Sequence, residues 1–130
     1  MPNSRVKGRA GEQECCRILR KELPMFHVHR NWMAQSAEGG ADVVIPGWAI
    51  EIKRHKTAAR INDWWVQAAM QAVFFDGLVR PVLLYRVDRG EWMAMMSMFD
   101  LRPDLQSHTQ VTMKISTWCT LVRSEIDANA

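Results

Sequence analysis

Three charged side chains that could form a metal and phosphate site, Asp42, Glu51 and Lys53, flank a predicted β-hairpin. Apolar residues run from each acid toward Pro46-Gly47, so a turn there makes two short strand arms. If the loop contains an even number of residues, Asp42 lies directly opposite Glu51, with Cβ atoms roughly 4.5–5.5 Å apart. Like charges at that distance destabilise a sheet, and a bound cation relieves the repulsion. Lys53, two residues along on the same face, adds an ammonium group that can contact a phosphate.

The type of loop decides whether this geometry forms. Trans-proline followed by glycine favours a type II turn, whereas two-residue hairpins prefer the primed turns. A four-residue loop keeps Asp42 opposite Glu51, but a three-residue loop with a bulge turns Glu51 away. An edge hairpin with solvated charges also fits the spacing. With an even-numbered loop, Val44 and Ala49 share the acidic face, and the other face is apolar and consists of Val43, Ile45, Trp48, Ile50 and Ile52.

A helix that carries a further acid is predicted before the hairpin, over residues 9–23, where a proline ends it. Cys16, Leu19 and Leu23 form its apolar stripe, and Glu12 lies one turn earlier on the same stripe. Glu12 therefore lies either at the rim of the core or in a site above the sheet.

A second helix is predicted after the hairpin, over residues 63–76, with Asn62 as its N-cap and Gly77 after its end. Its apolar residues surround it on more than one side. We therefore expect two apolar contacts, one with its own sheet and one with a second copy of the chain. Gln67 and Gln71, four residues apart, make a polar line along this helix, as an exposed strip would.

The remaining elements complete a mixed α/β order. Residues 27–34 alternate as a strand, and a polar, Gly-containing segment joins them to the hairpin. Residues 81–87 and 91–96 predict a second hairpin, whose first strand is apolar enough to be covered on both faces. Residues 111–115 predict a short edge strand, and Ser116 is a candidate cap for a final helix. The order αβββαββ(β)α predicts an α/β domain with a central mixed β-sheet flanked by helices.

Basic residues are concentrated beside the acidic hairpin. The net charge is +3, but residues 1–60 contain 11 Lys and Arg against 6 Asp and Glu, and residues 61–130 contain 6 against 8. Solubility alone would not place the surplus around one motif. Positive charge around a pair of carboxylates favours nucleic acid as the partner.

Composition predicts a single folded domain, residues 1–130, in a reducing compartment. The chain is 48% hydrophobic and 24% charged, as a folded domain requires. No apolar run approaches the ~20 residues of a membrane span, so we expect no membrane contact. The first residues lack the apolar core of a signal peptide. Three cysteines match neither a disulfide framework nor a zinc site, and they fit the cytoplasm.

Three motifs together resemble the PD-(D/E)xK nuclease superfamily. They are Gly8-Arg9-Ala10-Gly11-Glu12 at the start of a helix, Ser36 followed by Ala41-Asp42-Val43, and Ile50-Glu51-Ile52-Lys53. More narrowly, the chain is similar to archaeal-type Holliday junction resolvases and their phage relatives over residues 5–95. Ala41 stands where the superfamily has the proline that names it, and the carboxylate that follows is kept. The resemblance implies a restriction-endonuclease-like core.

The resemblance also implies a role for each matching residue. Asp42 and Glu51 would bind Mg²⁺, or Mn²⁺ in its place, together with the backbone carbonyl of Ile52. Glu12 would act as a ligand through water or on a second ion. Lys53 would position the attacking water or stabilise the charge of the transition state. The remaining assignments are Gln67 on the following helix, Ser36 as a phosphate contact, and Arg5, Lys7, Arg9, Arg54 and Lys56 as ligands of backbone phosphates.

The implied function is a divalent-metal-dependent, structure-selective DNA endonuclease that resolves four-way junctions as a homodimer. The dimer contact would be the helix that contains Trp64 and Phe75. The reaction would be an in-line attack of water on a phosphodiester of branched double-stranded DNA. Two alternatives stay open: an endonuclease of the same fold that cuts other DNA, such as a nicking or restriction-type enzyme, and an inactive DNA-binding module.

Overall fold

In the part of the chain that the structure describes, five strands build one sheet with helices on both of its faces. The computed structural model describes residues 4–28, 41–73, 75 and 79–128, and within 4–7 only the backbone. The helices are α1 (Ser4–Glu22), α2 (Ile61–Val73), α3 (Met98–Leu101) and α4 (Ile115–Ala128), with a 3-10 turn at Pro103–Leu105. The strands are β1 (Val43–Ile45), β2 (Trp48–Arg54), β3 (Arg80–Arg86), β4 (Met93–Ser97) and β5 (Gln110–Lys114). They lie side by side in chain order, and of these pairs only β2–β3 is parallel. This confirms the predicted mixed sheet flanked by helices.

The β1–β2 hairpin has the even-numbered register that the sequence predicts. Val43 pairs with Ile50, Val44 with Ala49, and the next pair encloses a two-residue loop, Pro46-Gly47. Gly47 has a φ of 87°, as the third position of a type II turn requires. Glycine reaches this conformation without steric cost, so no bulge is needed to close the loop.

The two faces of the hairpin are covered by different helices, and their apolar residues alternate as predicted. Val44 and Ala49 lie on the side of α2, where Ala49 packs with Ala72 and Ala41. The opposite face forms the main core together with α1 and α4, and it contains Val43, Ile45, Trp48, Ile50 and Ile52.

Helix α1 begins five residues before the predicted start at residue 9, at Ser4, and ends at Glu22. Glycine has a low helix propensity, but Gly11 of this helix makes a tertiary contact. A Cβ at Gly11 would lie 2.3 Å from the Cβ of Arg54 on β2, so only glycine lets the helix approach the strand this closely. Packing against the sheet therefore overrides the local preference.

Helix α2 begins at Ile61, and the predicted N-cap, Asn62, is wrong because it lies inside the helix. The N–H of Trp64 donates to the carbonyl of Arg60 at 3.1 Å, so the helical ladder starts at Arg60. The helix ends at Val73 rather than at residue 76, and Gly77 lies outside the described residues.

Other predicted boundaries are shifted or lie outside the described residues. Most of the strand predicted over 27–34 lies outside the described residues. His27 and Val28 are described, and they are not in a strand. The edge strand β5 ends at Lys114, so Ser116 lies within α4 and is not its cap. The N–H of Ile115 donates instead to the carbonyl of Trp92 at 3.1 Å, because the helix follows the strand without a break.

The main core is dense in tryptophan and sulfur. Trp48 and Trp118 meet edge to face with their ring centroids 5.3 Å apart. Cys15, Cys16 and Cys119 are buried and form no disulfide. Burial raises the pKa of Cys119 to about 12, so this thiol stays neutral and unreactive. Among the helices of the described ranges, none combines the length and the apolar character that crossing a membrane needs.

Exchanging each of two glycines of α1 for alanine tests the close contact with β2. We expect Gly11→Ala to lower the free energy of unfolding by about 1–3 kcal/mol, because the new Cβ would overlap Arg54. Gly8→Ala is the matched control, since nothing lies within 4 Å of a Cβ built there. Its better helix propensity should stabilise the protein by about 0.5–1 kcal/mol. Urea unfolding measures both, and equal effects would contradict the close packing at Gly11.

Candidate active site

Asp42 and Glu51 lie side by side where β1 begins, and Glu51 is on the face of β2 that α2 covers. Asp42 directly precedes β1, and the register continued by one residue sets it opposite Glu51. Both are buried, with 9% and 3% of their surface exposed. The Oδ2 atom of Asp42 accepts a hydrogen bond from the backbone N–H of Ile52 at 2.8 Å. The two carboxyl groups are also hydrogen bonded to each other.

The surroundings of this pair favour its protonated form. Burial, followed by the charge of Asp42, raises the pKa of Glu51 to about 8, and Lys53 acts in the opposite direction. Burial also raises the pKa of Asp42, against the hydrogen bond from Ile52 and with a contribution from the charge of Glu12. The pair therefore holds a proton near neutral pH, and a cation could take the place of that proton.

Lys53 lies on the same face of β2 and closes the site on its open side. Its Nζ is 3.5 Å from Oε1 of Glu51, and 22% of its side chain is exposed. The ammonium group is thus held between a buried carboxylate and solvent. A phosphate that approached the pair from solvent would meet this positive charge first.

The donor set of the site suits a hard divalent cation. Oε2 of Glu51 is buried and has no hydrogen-bond partner within the described part of the chain, so it is an acceptor that lacks a positive partner. Within the same part, no three or more His, Cys, Asp or Glu side chains form a metal cluster. Mg²⁺ needs only one or two carboxylates when water and phosphate complete its shell. Asp42, Glu51 and the carbonyl of Ile52 therefore fit such an ion.

Glu12 lies near this pair but not in a tight cluster with it. Its half-buried side chain comes from the first half of α1, and its charge is felt by Asp42. Two residues further along, Glu14 fastens this part of the helix to the sheet by accepting hydrogen bonds from Arg86 and from Trp92, the latter at 2.6 Å. The hydrogen bond from Trp92, ahead of the opposing effect of burial, lowers the pKa of Glu14, so this carboxylate is charged. Glu14 thus fixes the segment that presents Glu12.

The two glutamines of α2 lie in different surroundings. Gln67 is exposed, as the predicted polar strip requires. Gln71 is buried, with 9% of its surface exposed, and its Oε1 has no hydrogen-bond partner among the described residues. Four residues advance a helix by about 40° beyond a full turn, so both project toward the same flank of α2.

His55 is a further polar residue, two positions after Lys53, that the motifs did not indicate. It follows β2 and continues the alternation of Glu51 and Lys53, so it belongs on the side of α2. Its ring stacks on the indole of Trp64 with centroids 4.7 Å apart and an angle of 22°. Trp64 is only 5% exposed, so this contact fixes the imidazole at the edge of the site. The alternation two residues beyond Lys53 was the signal available in the sequence.

The predicted phosphate ligands are spread over different surroundings. Arg54 lies on the α1 side of β2 and is held by Asp88 at 2.9 Å and by the carbonyl of His55 at 2.7 Å, with 16% of its side chain exposed. Lys56 and Arg9 are exposed. The side chains of Arg5 and Lys7, and the whole of Ser36, lie outside the described residues.

Comparison with known proteins identifies a family. The chain matches the model of a family described as "Phage putative PDDEXK endonuclease" over residues 3–127. This span includes every residue of the candidate site. No curated protein and no solved structure matches the chain.

The pH dependence of stability tests the buried pair. The folded state keeps the proton of Glu51 up to about pH 8, whereas the unfolded chain releases it near its ordinary pKa of 4.5, so stability falls as pH rises between these values. We expect Glu51→Gln, in EDTA, to stabilise the protein at pH 8 by about 2–4 kcal/mol and to matter little near pH 4.5. Thermal unfolding across this range measures the effect.

Glu14→Gln is the matched control for this measurement. The same change of residue removes a carboxylate whose pKa is lowered by its hydrogen bonds, so its contribution to stability is present above pH 4.5. We expect it to destabilise the protein at neutral pH by about 1–2 kcal/mol. Destabilisation by both substitutions at pH 8 would show that Glu51 is not held in an unfavourable charged form.

Proposed function

The chain belongs to the phage PDDEXK endonuclease family, and we propose that it is a divalent-metal-dependent, structure-selective endonuclease that hydrolyses phosphodiester bonds of DNA. The observation that carries the proposal is the buried pair of Asp42 and Glu51 with Lys53 beside it. A nuclease needs positive charge at a phosphate and an activated water, and these residues can assemble both. We propose that residues 1–130 act as one nuclease domain.

Asp42, Glu51 and the carbonyl of Ile52 would hold the ion, which is Mg²⁺ or, as a substitute, Mn²⁺. When bound, the ion supplies positive charge to a phosphoryl oxygen and lowers the pKa of water. The chain prepares for it in two ways. The N–H of Ile52 orients the carboxylate of Asp42, and burial excludes bulk water from Glu51. Glu12 would contribute through water or on a second ion.

Lys53 would act on the phosphate and on the attacking water. Its contact with Glu51 keeps the ammonium at the site, while its partial exposure leaves it accessible to DNA. In this position it can hold the water in line with the phosphorus and stabilise the charge that develops on the phosphoryl oxygens. Gln67, exposed one helix away, would help to orient the same water.

The exposed cations would hold the DNA backbone without reading its sequence. Arg9 and Lys56 are exposed on α1 and after β2, the two segments that carry Glu12 and Lys53. The guanidinium of Arg54 is paired with Asp88, so Arg54 would contribute only where a phosphate displaces that carboxylate. Arg5, Lys7 and Ser36 complete the proposed contact set.

We propose the four-way junction as substrate and a homodimer as the active form. Val66, Met70 and Val73 are 53%, 63% and 72% exposed on the side of α2 that faces away from the sheet. An uncharged apolar stripe of this kind is self-complementary, as a two-fold contact requires. A two-fold dimer would hold two sites at a fixed separation, which suits paired nicks in a branched duplex. A cytoplasmic location, where such DNA occurs in a phage-infected cell, agrees with three cysteines that form no disulfide.

Cleavage of matched DNA substrates tests the function. With Mg²⁺, we expect symmetric paired nicks in a synthetic four-way junction and little cutting of flaps or plain duplex. EDTA should abolish cleavage. Asp42→Asn and Glu51→Gln should lower the single-turnover rate at least about 10²-fold while junction binding, measured by gel shift in Ca²⁺, is kept or tightened. Glu91→Gln, an exposed acid far from the pair in sequence, is the control that should cleave normally.

Each other outcome decides between the alternatives. Efficient cutting of plain duplex would assign the chain to nicking or restriction-type endonucleases of the same fold. Tight binding of DNA with no cleavage in Mg²⁺ or Mn²⁺ would make it an inactive DNA-binding module. Full activity of Asp42→Asn or Glu51→Gln would refute the metal assignment.

The dimer has its own test in solution. We expect sedimentation velocity to find a dimer of the wild-type chain and a monomer of the Val66→Asp/Val73→Asp variant, because two charges in an apolar two-fold contact repel their own copies. The matched control is Leu105→Asp, since Leu105 is 52% exposed on a different surface. Dissociation of neither variant, or of both, would contradict a contact through α2.

A further inference from the structure

Gln71 is a buried polar residue at a position where an apolar side chain is expected. It lies on the side of α2 that packs on the sheet, among residues that are otherwise apolar there, such as Trp64, Ala68 and Ala72. Its Oε1 makes no hydrogen bond within the part of the chain that the structure describes. A buried carbonyl oxygen that has lost its hydrogen bonds to water destabilises the folded state. An apolar side chain of similar volume would pack there without that loss.

The packing of α2 on the sheet places this segment of the helix over Glu51. Ala72 packs with Ala49, the residue two before Glu51 on the same face of β2. Ala68 packs with Leu83, which is the partner of Glu51 in the parallel β2–β3 ladder. The helix therefore crosses the face of β2 that carries Glu51 between these two contacts.

Gln71 belongs to the same stretch of α2. It follows Ala68 by three residues, so these two side chains lie on the same flank of the helix, and Gln71 is buried as Ala68 and Ala72 are. Its side chain thus enters the layer in which Glu51 is buried. Two unpaired acceptors share this layer, Oε1 of Gln71 and Oε2 of Glu51.

Once Glu51 is ionised, as it is when it binds a cation, the two acceptor oxygens cannot satisfy each other, because neither then carries a hydrogen to donate. A cation can satisfy the carboxylate directly, and a water held by the cation has hydrogens to donate to the amide oxygen. Both unpaired atoms are then explained by one occupant of the layer. A purely apolar layer would explain neither.

We propose that Gln71 is a positioning residue of the metal centre, whose Oε1 holds the ion of the Asp42–Glu51 pair through an intervening water. This inference rests on the proposed function, since it requires that the pair binds a divalent ion. Gln71 differs in this from Gln67, which is exposed and is assigned to the attacking water. The two glutamines of α2 would then have different roles, Gln67 at the attacking water and Gln71 at the metal centre.

Replacing the amide by an apolar group of similar size separates a metal-directed role from a structural one. In EDTA, we expect the melting temperature of Gln71→Leu to equal or exceed that of the wild type, because an unpaired buried acceptor is removed. We expect its affinity for Mn²⁺, measured by calorimetry without DNA, to fall about tenfold, as the loss of an outer hydrogen bond to a metal site does. Gln13→Leu, at an exposed position of α1, should change neither quantity.

The opposite signs of the two effects make the test decisive. A lower melting temperature in EDTA with unchanged Mn²⁺ affinity would show a structural amide and overturn the inference. Gln71→Met, unbranched and close in volume, replaces the leucine variant if that variant does not fold. Wild-type Mn²⁺ affinity in the methionine variant would overturn the inference as well.

Glu51→Gln in the same titration distinguishes this inference from the proposed function. If Glu51→Gln loses Mn²⁺ binding and the Gln71 variants keep it, the inference fails and the proposed function stands. If the wild type binds no Mn²⁺, or Glu51→Gln binds it as the wild type does, the metal assignment itself fails.

Discussion

The repulsion between Asp42 and Glu51 is the constraint on which the rest of this site depends. A sheet pair sets the two acids opposite each other, and burial removes the water that would separate their charges. Glu51 keeps one oxygen without a hydrogen-bond partner among the described residues. The folded protein must therefore hold a proton there or gain a cation.

Two helices hold this pair in place from opposite faces of the sheet. Helix α1 is brought close by Gly11 and fastened by the hydrogen bonds of Glu14, so the segment that carries Glu12 has a fixed position. Helix α2 is fixed at its start by Trp64, which also stacks on His55 beyond the end of β2. Preorganisation of this kind costs stability in folding but not at the moment of reaction.

Local rules were enough to predict the hairpin and the face that its charged residues share. The alternation of side chains and a two-residue loop determine that Asp42 and Glu51 share a face with Lys53, since pairing in a hairpin depends only on the loop between its strands. The three motifs were enough to identify the superfamily, which the family match confirms. The two apolar sides of α2 were also visible in its sequence. Apolar residues occur at helical spacing on two sides of this helix, and the structure buries one side, at Ala68, and exposes the other, at Met70.

The sequence by itself thus determined the alternation of the hairpin, the candidate acidic pair and the family, whereas only the tertiary structure decided the loop type, and with it the register, and how distant segments meet around the pair. The close contact of Gly11 with Arg54 could not be predicted, because it joins segments that are far apart in the chain. The ion pair of Arg54 with Asp88 and the burial of Gln71 were equally invisible. Each depends on where a helix or loop lies on the sheet, and that position is set by the packing of the whole core, which no local pattern encodes.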